Sequence, residues 1–177
     1  MTTPLTAPLK QSASCPRCSG TGWVTTDADD PDATLRRCSC YANQDVDRRL
    51  ENSLIPQRYK IARLNNFDHY PGIDETLQEA QLIAEKFAEA YPNQKDPGLL
   101  FQGPSGVGKT HLAVAILREL VTNCGITGRF VDYRDLLRSI QNSYNPVSKT
   151  SEIEILYPVL NADVLLLDEL GTRRPTD

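Results

Sequence analysis

Eight consecutive residues have the clearest chemical signature in this sequence of 177 residues. They are Gly103, Pro104, Ser105, Gly106, Val107, Gly108, Lys109 and Thr110, spaced as GxxxxGK[ST]. Glycines let the backbone curl so that successive N–H groups face an anion, and a following helix presents its positive N-terminus to the same anion. Lys109 supplies a positive charge for phosphate, and Thr110 supplies a hydroxyl for Mg²⁺. The segment therefore predicts a loop that binds the phosphates of a nucleotide.

Two carboxylates, Asp168 and Glu169, follow the apolar run 164–167. Such a run predicts a buried strand, and the carboxyl ends of strands are where open α/β sheets bind ligands. Asp168 is the candidate to hold Mg²⁺ through its water shell, and Glu169 is the candidate base that orients an attacking water. The alternative is an acidic strand boundary without chemistry. The loop upstream favours catalysis, with Lys109, Asp168 and Glu169 as the catalytic residues.

Four of the five cysteines form two close pairs, Cys15 with Cys18 and Cys38 with Cys40. The spacing CxxC-x19-CxC is close to that of structural zinc ribbons, in which four thiolates surround Zn²⁺ as a tetrahedron. The segment between the pairs has few apolar residues and would need the metal in order to fold. The alternative is a set of unmetallated thiols in a disordered arm. The fifth cysteine, Cys124, is predicted to be a small packed hydrophobe.

These candidate residues need a scaffold, and the apolar periodicity predicts one from residue 74 onwards. The expected order is helix 74–91, strand 99–101, helix 109–123, strand 129–133, helix 136–140, helix 152–160 and strand 164–167. Asp74 would cap the first helix, Pro92 would end it, and Gly125 would follow the helix after the loop. Strands that are apolar on both faces and alternate with helices predict an α/β fold of the P-loop NTPase class. Its parallel sheet would be covered by helices on both sides.

The sequence divides into four predicted zones. They are a flexible tail (1–14), a zinc-binding module with an acidic turn (15–41), a basic helical linker (42–73) and the nucleotide-binding core (74–177). A short helix over 42–53 is expected at the start of the linker. Residues 36–63 contain seven basic and three acidic side chains. Such a stretch is either a solvated surface or a local contact for DNA or a protein partner.

The overall composition limits where and how the protein acts. A net charge of −4 and an isoelectric point near 5.2 exclude a protein that coats nucleic acid over its whole surface, so any DNA contact is expected to be local. The N-terminal residues contain no apolar run typical of a secretory signal. The longest apolar run, 112–117, is six residues, against the roughly 20 that span a bilayer. The sequence therefore predicts a cytoplasmic protein without a membrane partner.

Several segments together resemble one known family. They are 98–113 (GLLFQGPSGVGKTHLA), the upstream IPQRY at 55–59, the pair Asn66-Phe67, and 165–171 (LLLDELG). In combination these segments look like the DnaC/IstB branch of AAA+ ATPases. The resemblance covers roughly residues 54–177. It implies ATP and Mg²⁺ as ligands of the loop and ATP hydrolysis as the activity.

The resemblance also implies partners. DnaC-like proteins load a replicative DNA helicase onto single-stranded DNA, whereas IstB-like proteins assist a transposase. A cysteine-bearing N-terminal module is similar to the loader arrangement. It thus implies a helicase loader of DNA replication that contacts a replicative helicase and single-stranded DNA and is a homo-oligomer in its full-length form. The alternatives are a transposition helper and a zinc-dependent adaptor with a vestigial loop, because residues 15–22 also resemble one repeat of DnaJ-type chaperone modules.

Two further expectations come from the family. Its segment before the loop helps to hold the base of the nucleotide, which makes Arg58, Tyr59 and Phe67 candidates for base contacts. His111 is grouped with the ATP-binding residues, with packing on the helix as the alternative. The family continues past its acidic strand with a sensor strand and an arginine finger. The chain ending at Asp177 is therefore expected to be a truncated form that binds and hydrolyses ATP weakly.

Overall fold

The computed structural model describes residues 15–25, 34–68, 75–145 and 147–171. The chain divides into two compact units, Met1–Asp47 and Arg48–Asp177. The predicted tail and the acidic turn lie outside the described residues. Within the described part of the chain, no helix combines the length and apolar character that crossing a bilayer requires.

The N-terminal unit contains a small antiparallel hairpin. Strand β1 (Trp23–Thr25) pairs with β2 (Leu35–Arg37). Its side chains are poorly covered, since Trp23 is 48% exposed and Leu35 is 67% exposed. Two cysteines beside the hairpin, Cys18 and Cys38, are buried. The described part of this unit therefore has very little apolar core.

Helix α1 spans Ser39–Asn52 and begins earlier than the predicted helix 42–53. It is followed by irregular chain, as predicted, with two 3₁₀ turns at Gln57–Tyr59 and Leu64–Asn66. Ser53 is fully buried at the end of α1, where its hydroxyl donates to a carbonyl of the helix at 2.6 Å. The predicted cap Asp74 lies outside the described residues.

Two helices frame the nucleotide loop in the sequence, α2 (Glu75–Ala90) before it and α3 (Lys109–Asn123) after it. Helix α3 has the predicted bounds. Gly125 follows with a φ of 65°, which confirms its place just beyond the end of the helix. The two helices share a buried cluster of small and large apolar residues: Ala84, Ala88, Ile116 and Leu120. Burial of each large apolar side chain contributes about 1.5–3 kcal/mol, so α3 is held firmly.

Strands β3 (Gly128–Asp132) and β4 (Val164–Asp168) form a parallel pair. They are connected by helices α4 (Tyr133–Ser143) and α5 (Glu152–Leu160), and α5 has the predicted bounds. A parallel pair of strands joined through helices confirms the predicted α/β class.

Helix α3 packs on one face of this sheet. Phe130 and Leu166 form a buried cluster with Val114 and Leu117 of the helix. The backbones approach closely here, because a Cβ added at Gly128 would lie 2.6 Å from Cδ1 of Leu117. The position of α3 relative to the strand ends is therefore set by close packing.

One strand boundary differs from the prediction. Strand β3 ends at Asp132, and Tyr133 is already the first residue of α4. The carboxylate of Asp132 accepts hydrogen bonds from the N–H groups of Arg134 at 2.9 Å and Asp135 at 3.3 Å. Asp132 is thus the N-cap of α4, and its capping bonds end the strand one residue early.

The predicted strand at 99–101 is wrong. Its side chains alternate, because Leu99 and Phe101 pack against the α2–α3 cluster while Leu100 is 71% exposed. However, no strand within the described ranges pairs with this segment. Because a strand is stabilised by hydrogen bonds to a neighbour, an apolar run without a pairing partner stays an extended segment.

The expected cover on both faces of the sheet is only partly correct. Leu165 and Leu167 point away from the α3 side, and they are 37% and 41% exposed. Leu166, between them, is buried. The prediction from the apolar run of β4 therefore overestimated the burial of its side chains, because an apolar run does not specify which elements cover each face of the sheet.

Candidate functional site

The nucleotide loop, residues 103–110, has a curled backbone, and its residues 103–106 are exposed. Gly106 and Gly108 have φ angles of 87° and 94°, which residues with a Cβ rarely adopt. Helix α3 begins directly after Gly108, so that Lys109 and Thr110 are its first two residues. The free N–H groups at the start of a helix attract anions, so the loop and the helix together fit a phosphate group.

Lys109 lies across the loop. Its Nζ donates to the carbonyl oxygens of Gly103 at 3.0 Å and Pro104 at 2.6 Å. A phosphate oxygen would accept a stronger, charge-assisted hydrogen bond than these neutral carbonyl groups do. A bound phosphate could therefore replace these carbonyl oxygens as the hydrogen-bond acceptor of the Lys109 ammonium group.

Thr110 and Asp168 are 58 residues apart in sequence and in contact in the fold. Thr110 Oγ1 is 2.9 Å and 3.1 Å from the two carboxylate oxygens of Asp168, to which it donates. The contact arises because β4 ends at Asp168 beside the first turn of α3. Hydroxyl and carboxylate oxygens are ligands that Mg²⁺ prefers. The pair fits a Mg²⁺ that accompanies a bound nucleotide.

Glu169, the predicted base, follows β4 with a φ of 60°, a strained backbone for a residue with a Cβ. Its Oε2 lies 3.7 Å from Nη2 of Arg134, and the two side chains are 39% and 44% exposed. An ion pair this exposed is worth at most about 1 kcal/mol. Sequence reasoning missed Arg134. The signal was available, because the carboxyl ends of neighbouring parallel strands meet and Asp132 lies opposite Asp168.

Phe67 packs against the loop. A Cβ added at Gly108 would lie 2.5 Å from Cε2 of Phe67. The Phe67 ring also meets the His111 ring edge to face, with centroids 5.5 Å apart. His111 Nε2 lies 3.2 Å from the Arg63 carbonyl oxygen and 3.0 Å from Asn66 Oδ1. The His111 ring therefore faces the turn that contains Phe67.

Arg58 and Tyr59, the other predicted base contacts, lie in a different environment. Tyr59 packs against the α3–sheet cluster, and the Arg58 guanidinium lies 4.8 Å from the centre of its ring. Arg58 also lines an open pocket of about 620 Å³, whose walls include Asp132 and Asp168. Of these three candidates, Phe67 is the one described as packing against the loop, at Gly108.

The four predicted zinc ligands converge in the N-terminal unit. The Sγ atoms of Cys15, Cys18, Cys38 and Cys40 all lie within 4.8 Å of one another. The Cys15–Cys38 distance is 3.9 Å and the Cys18–Cys40 distance is 3.5 Å. Four thiolates at about 2.3 Å from a tetrahedral Zn²⁺ would be roughly 3.8 Å apart. The donor set and its spacing therefore fit Zn²⁺.

The thiol groups of this cluster have unequal proton affinities. The backbone N–H groups of Arg17 and Cys18 lower the pKa of Cys15. Burial raises the pKa of Cys18, but hydrogen bonds from the Gly22 N–H and the Cys40 thiol outweigh it and lower the pKa to about 7. Hydrogen bonds to Cys18 and Cys38 raise the pKa of Cys40 to about 12. A divalent cation would allow all four groups to be thiolates, because it neutralises their mutual repulsion.

Cys124 does not have the predicted packing role. It is exposed, directly after the last residue of α3. Its N–H donates to the Leu120 carbonyl at 2.9 Å, which closes the last turn of the helix. Its exposure fits its position as the C-cap, beyond Val121, which is the last buried residue of α3.

Comparison with known proteins decides the family. The sequence matches the family described as IstB-like ATP binding protein over residues 41–175, about three quarters of the chain. The matched range contains the nucleotide loop, the Thr110–Asp168 contact and Glu169. This chain belongs to the IstB-like ATP-binding protein family.

The individual relatives are named either as helicase loaders or as ATP-binding proteins of an insertion sequence. The replicative helicase loader DnaC of Buchnera aphidicola subsp. Baizongia pistaciae is 29% identical over 106 residues, 60% of this chain and 42% of the relative. DnaC of Escherichia coli K12 is 32% identical over 98 residues, 54% of this chain and 39% of the relative. The ATP-binding protein of insertion sequence IS5376 from Geobacillus stearothermophilus is 28% identical over 119 residues, 67% of this chain and 43% of the relative.

A solved structure supports the same branch. The crystal structure of the DnaC helicase loader has a TM-score of 0.57 and 35% sequence identity, covering 69% of this chain and 66% of that chain. These similarities confirm the predicted DnaC/IstB-like branch of AAA+ ATPases. The chain spans less than half the length of the curated relatives it matches.

Membership of the IstB-like family implies ATP and Mg²⁺ as ligands of the nucleotide site. The matched range begins at residue 41, so all four clustered cysteines precede it. The candidate metal site therefore rests on the geometry of the sulfur atoms and not on the family.

Proposed function

We propose that this protein is an ATPase that loads a replicative DNA helicase onto single-stranded DNA. The contact between Thr110 and Asp168 is the main structural support, because it joins the phosphate-binding helix to the acidic strand end that a Mg²⁺-dependent ATPase needs. The IstB-like family supports ATP as the nucleotide, and the names of the DnaC relatives support helicase loading.

The site residues have distinct proposed roles in hydrolysis. The N–H groups of the loop and Lys109 hold the phosphates of ATP, while Thr110 and Asp168 hold Mg²⁺. When bound, Mg²⁺ neutralises negative charge on the phosphate oxygens. Glu169 accepts a proton from water as the water oxygen bonds to the γ-phosphorus, and the bond to the bridging oxygen breaks to release ADP.

The surrounding residues have supporting proposed roles. The backbone of His111 lies next to Thr110 at the phosphate end of the site, and Phe67 is proposed to contact the base because it packs at Gly108. Arg58 and Tyr59 complete the proposed base contacts.

The N-terminal part is proposed to bind partners. The sulfur spacing supports a Zn²⁺ held by Cys15, Cys18, Cys38 and Cys40. The bound zinc would make residues 15–41 a rigid module, and this module is proposed to bind the helicase. The basic linker 42–73 would contact single-stranded DNA, and the core 74–177 would assemble with other copies in the full-length protein. Five of the basic side chains of 36–63 lie in this linker and support the DNA contact: Arg48, Arg49, Arg58, Lys60 and Arg63.

Nucleotide-dependent assembly tests the loader role. Wild type, Lys109→Ala and the control Lys149→Ala, an exposed lysine outside the loop, are each mixed with the replicative helicase and labelled single-stranded DNA. We expect ATP to promote a ternary complex in wild type and in Lys149→Ala. Loss of the charge-assisted bonds to phosphate in Lys109→Ala should weaken the ATP effect about tenfold or more. A protein that binds ATP but never the helicase would contradict the loader role.

A transposition helper is the second candidate function. The IstB-like family and the IS5376 relative support it. It shares the ATP site with a loader, so the partner discriminates between the two: co-purification with a transposase instead of a helicase would select it. A protein that holds zinc but binds no ATP in calorimetry would instead be a zinc-dependent adaptor.

A further inference from the structure

The 3₁₀ turn at Leu64–Asn66 and its flanking residues, called here the 63–67 turn, lie against the first turn of α3. His111 Nε2 is 3.2 Å from the Arg63 carbonyl oxygen and 3.0 Å from Asn66 Oδ1. These contacts join residues that are 48 and 45 positions apart in sequence. The turn and the helix are therefore joined by tertiary hydrogen bonds from one side chain.

The Asn66 amide determines the direction of these hydrogen bonds. Its Oδ1 accepts from the Arg63 N–H at 2.7 Å, and its Nδ2 donates to the Ile61 carbonyl at 2.8 Å. Both atoms that face His111 are thus acceptors, so Nε2 is the donor. A side chain at position 111 must present an N–H to the turn, which glutamine can also do and leucine cannot.

Phe67 connects the same turn to the nucleotide loop. Gly108 is the last loop residue before α3 and has a φ of 94°. A Cβ there would lie 2.5 Å from Cε2 and 2.9 Å from Cζ of Phe67. Because the ring lies against the Gly108 backbone, a change in the loop around bound phosphate must displace Phe67 or be limited by it.

The turn has a second anchor that does not involve α3. Gln81 Nε2 of α2 donates to the Leu64 carbonyl at 2.9 Å. A substitution at position 111 therefore leaves one tertiary hydrogen bond to the turn in place. The turn can be loosened from α3 without being released from α2.

We propose that His111 is a positioning residue that holds the 63–67 turn against the nucleotide loop, so that the turn responds when the loop binds phosphate. The proposal rests on the proposed ATP site and deepens it, because it makes His111 the residue that holds the turn containing Phe67 against that site. The imidazole N–H supplies the link, and the contact of Phe67 with Gly108 transmits the movement.

Amide hydrogen exchange of the intact chain tests this link. The N–H groups of Arg63 and Asn66 are hydrogen bonded within the turn, to Asn66 Oδ1 and the Arg63 carbonyl oxygen, so their exchange reports how firmly it is held. Wild type is compared with His111→Leu, which removes the donor, and with His111→Gln, which retains an N–H. Without nucleotide, we expect His111→Leu to speed exchange of these amides about fivefold to tenfold, the effect of one hydrogen bond. His111→Gln should restore most of the protection.

Nucleotide gives the decisive comparison. Each protein is saturated with Mg²⁺ and the ATP analogue AMP-PNP, with saturation verified by titration. We expect the analogue to slow exchange in the turn of wild type and His111→Gln but not of His111→Leu. Protection of the loop alone in wild type would overturn the proposal, and so would equal exchange of the turn in wild type and His111→Leu without nucleotide.

Failure of the ATP site gives a different result. If the loop amides of wild type gain no protection at any AMP-PNP concentration, the proposed function fails, and the nucleotide-free comparison alone decides whether His111 holds the turn. Should His111→Leu not fold, His111→Phe keeps an aromatic ring beside Phe67 and also removes the N–H donor. The same faster exchange is then expected for His111→Phe, and exchange equal to that of wild type would overturn the proposal.

Discussion

The nucleotide site and the cysteine cluster are positioned by different forces. Helix α3 places Thr110 beside Asp168, and its Leu112, Leu117 and Leu120 are at most 2% exposed. In the described part of the N-terminal unit, the buried apolar side chains are those of Cys18 and Cys38 themselves. A hydrophobic core therefore positions the nucleotide site with or without nucleotide, whereas the cysteine cluster needs its metal in order to fold. Metal and nucleotide should accordingly act on separate parts of the chain.

Metal removal should separate the two regions most strongly. The only tryptophan, Trp23, lies in the cysteine module, so near-ultraviolet circular dichroism of its indole reports on that module. We expect a chelator, or Cys38→Ser, to abolish the indole signal because few apolar contacts replace the metal. Nucleotide affinity should not change.

The exposed cysteine supplies the control for this experiment. Cys124→Ser should leave both the zinc content and the indole signal unchanged. Purified wild type that contains no zinc and still has an ordered Trp23 would contradict the proposed dependence of the cysteine module on metal, since the module would then fold on its own.

Glu169→Gln should have the next largest effect. Loss of a general base typically lowers kcat by about 10²- to 10⁴-fold. ATP affinity should stay within about threefold, because the Glu169 carboxylate pairs with Arg134 and its proposed role is to accept a proton from water. Steady-state phosphate release together with calorimetry checks both numbers. Glu89→Gln, at an exposed position on α2, is the control, and undiminished turnover by Glu169→Gln would assign the base elsewhere.

Gly128→Ala should destabilise the core that holds the nucleotide site. The new Cβ would lie 2.6 Å from Leu117 Cδ1 and 2.7 Å from Val121 Cγ2. Overpacking of this kind lowers the free energy of unfolding by about 1–3 kcal/mol, measured by urea denaturation. Zinc content should be unaffected. Gly98→Ala is the matched control, because its Cβ would meet nothing within 4 Å, and equal stability of the two variants would contradict the packing described here.

Arg37→Gln should have the smallest effect. The Arg37 guanidinium lies 4.2 Å from the centre of the Tyr41 ring and 5.3 Å from that of Trp23. An exposed cation–π contact contributes little, so zinc affinity should fall by less than about fivefold. Arg36→Gln, the neighbouring exposed position on β2, is the control. A much larger loss in a competition assay with a chelating dye would show that the module depends on more than its metal.

Local patterns were sufficient for much of the fold and the site. The loop, α3, α5 and β4 were predicted because each is signalled by neighbouring residues. The structure adds a capping box at the start of α5, which the sequence analysis did not use: the Ser151 hydroxyl accepts from the Glu154 N–H at 3.3 Å. The proximity of Thr110 to Asp168 was implied by the assignment of both residues to one Mg²⁺, and the two side chains are in contact.

Tertiary relationships were not predictable in the same way. Residues 99–101 have the composition of a strand, but a strand also needs a neighbour, which no local pattern specifies. The bonds of His111 to Arg63 and Asn66 depend on how a distant turn docks on α3. The early end of β3 had a readable signal, because Asp132 is a good N-cap residue directly before a helix.

Magnesium-dependent nucleotide binding tests the central claim most directly. The Thr110 hydroxyl and the Asp168 carboxylate are proposed to form a Mg²⁺ site beside the phosphate loop. Calorimetric titration of ATP into wild type should show saturable binding that Mg²⁺ strengthens, and Thr110→Val should lose most of that strengthening while it keeps its fold. Wild type without saturable ATP binding, or Thr110→Val with an undiminished magnesium effect, would contradict the proposed Mg²⁺ site.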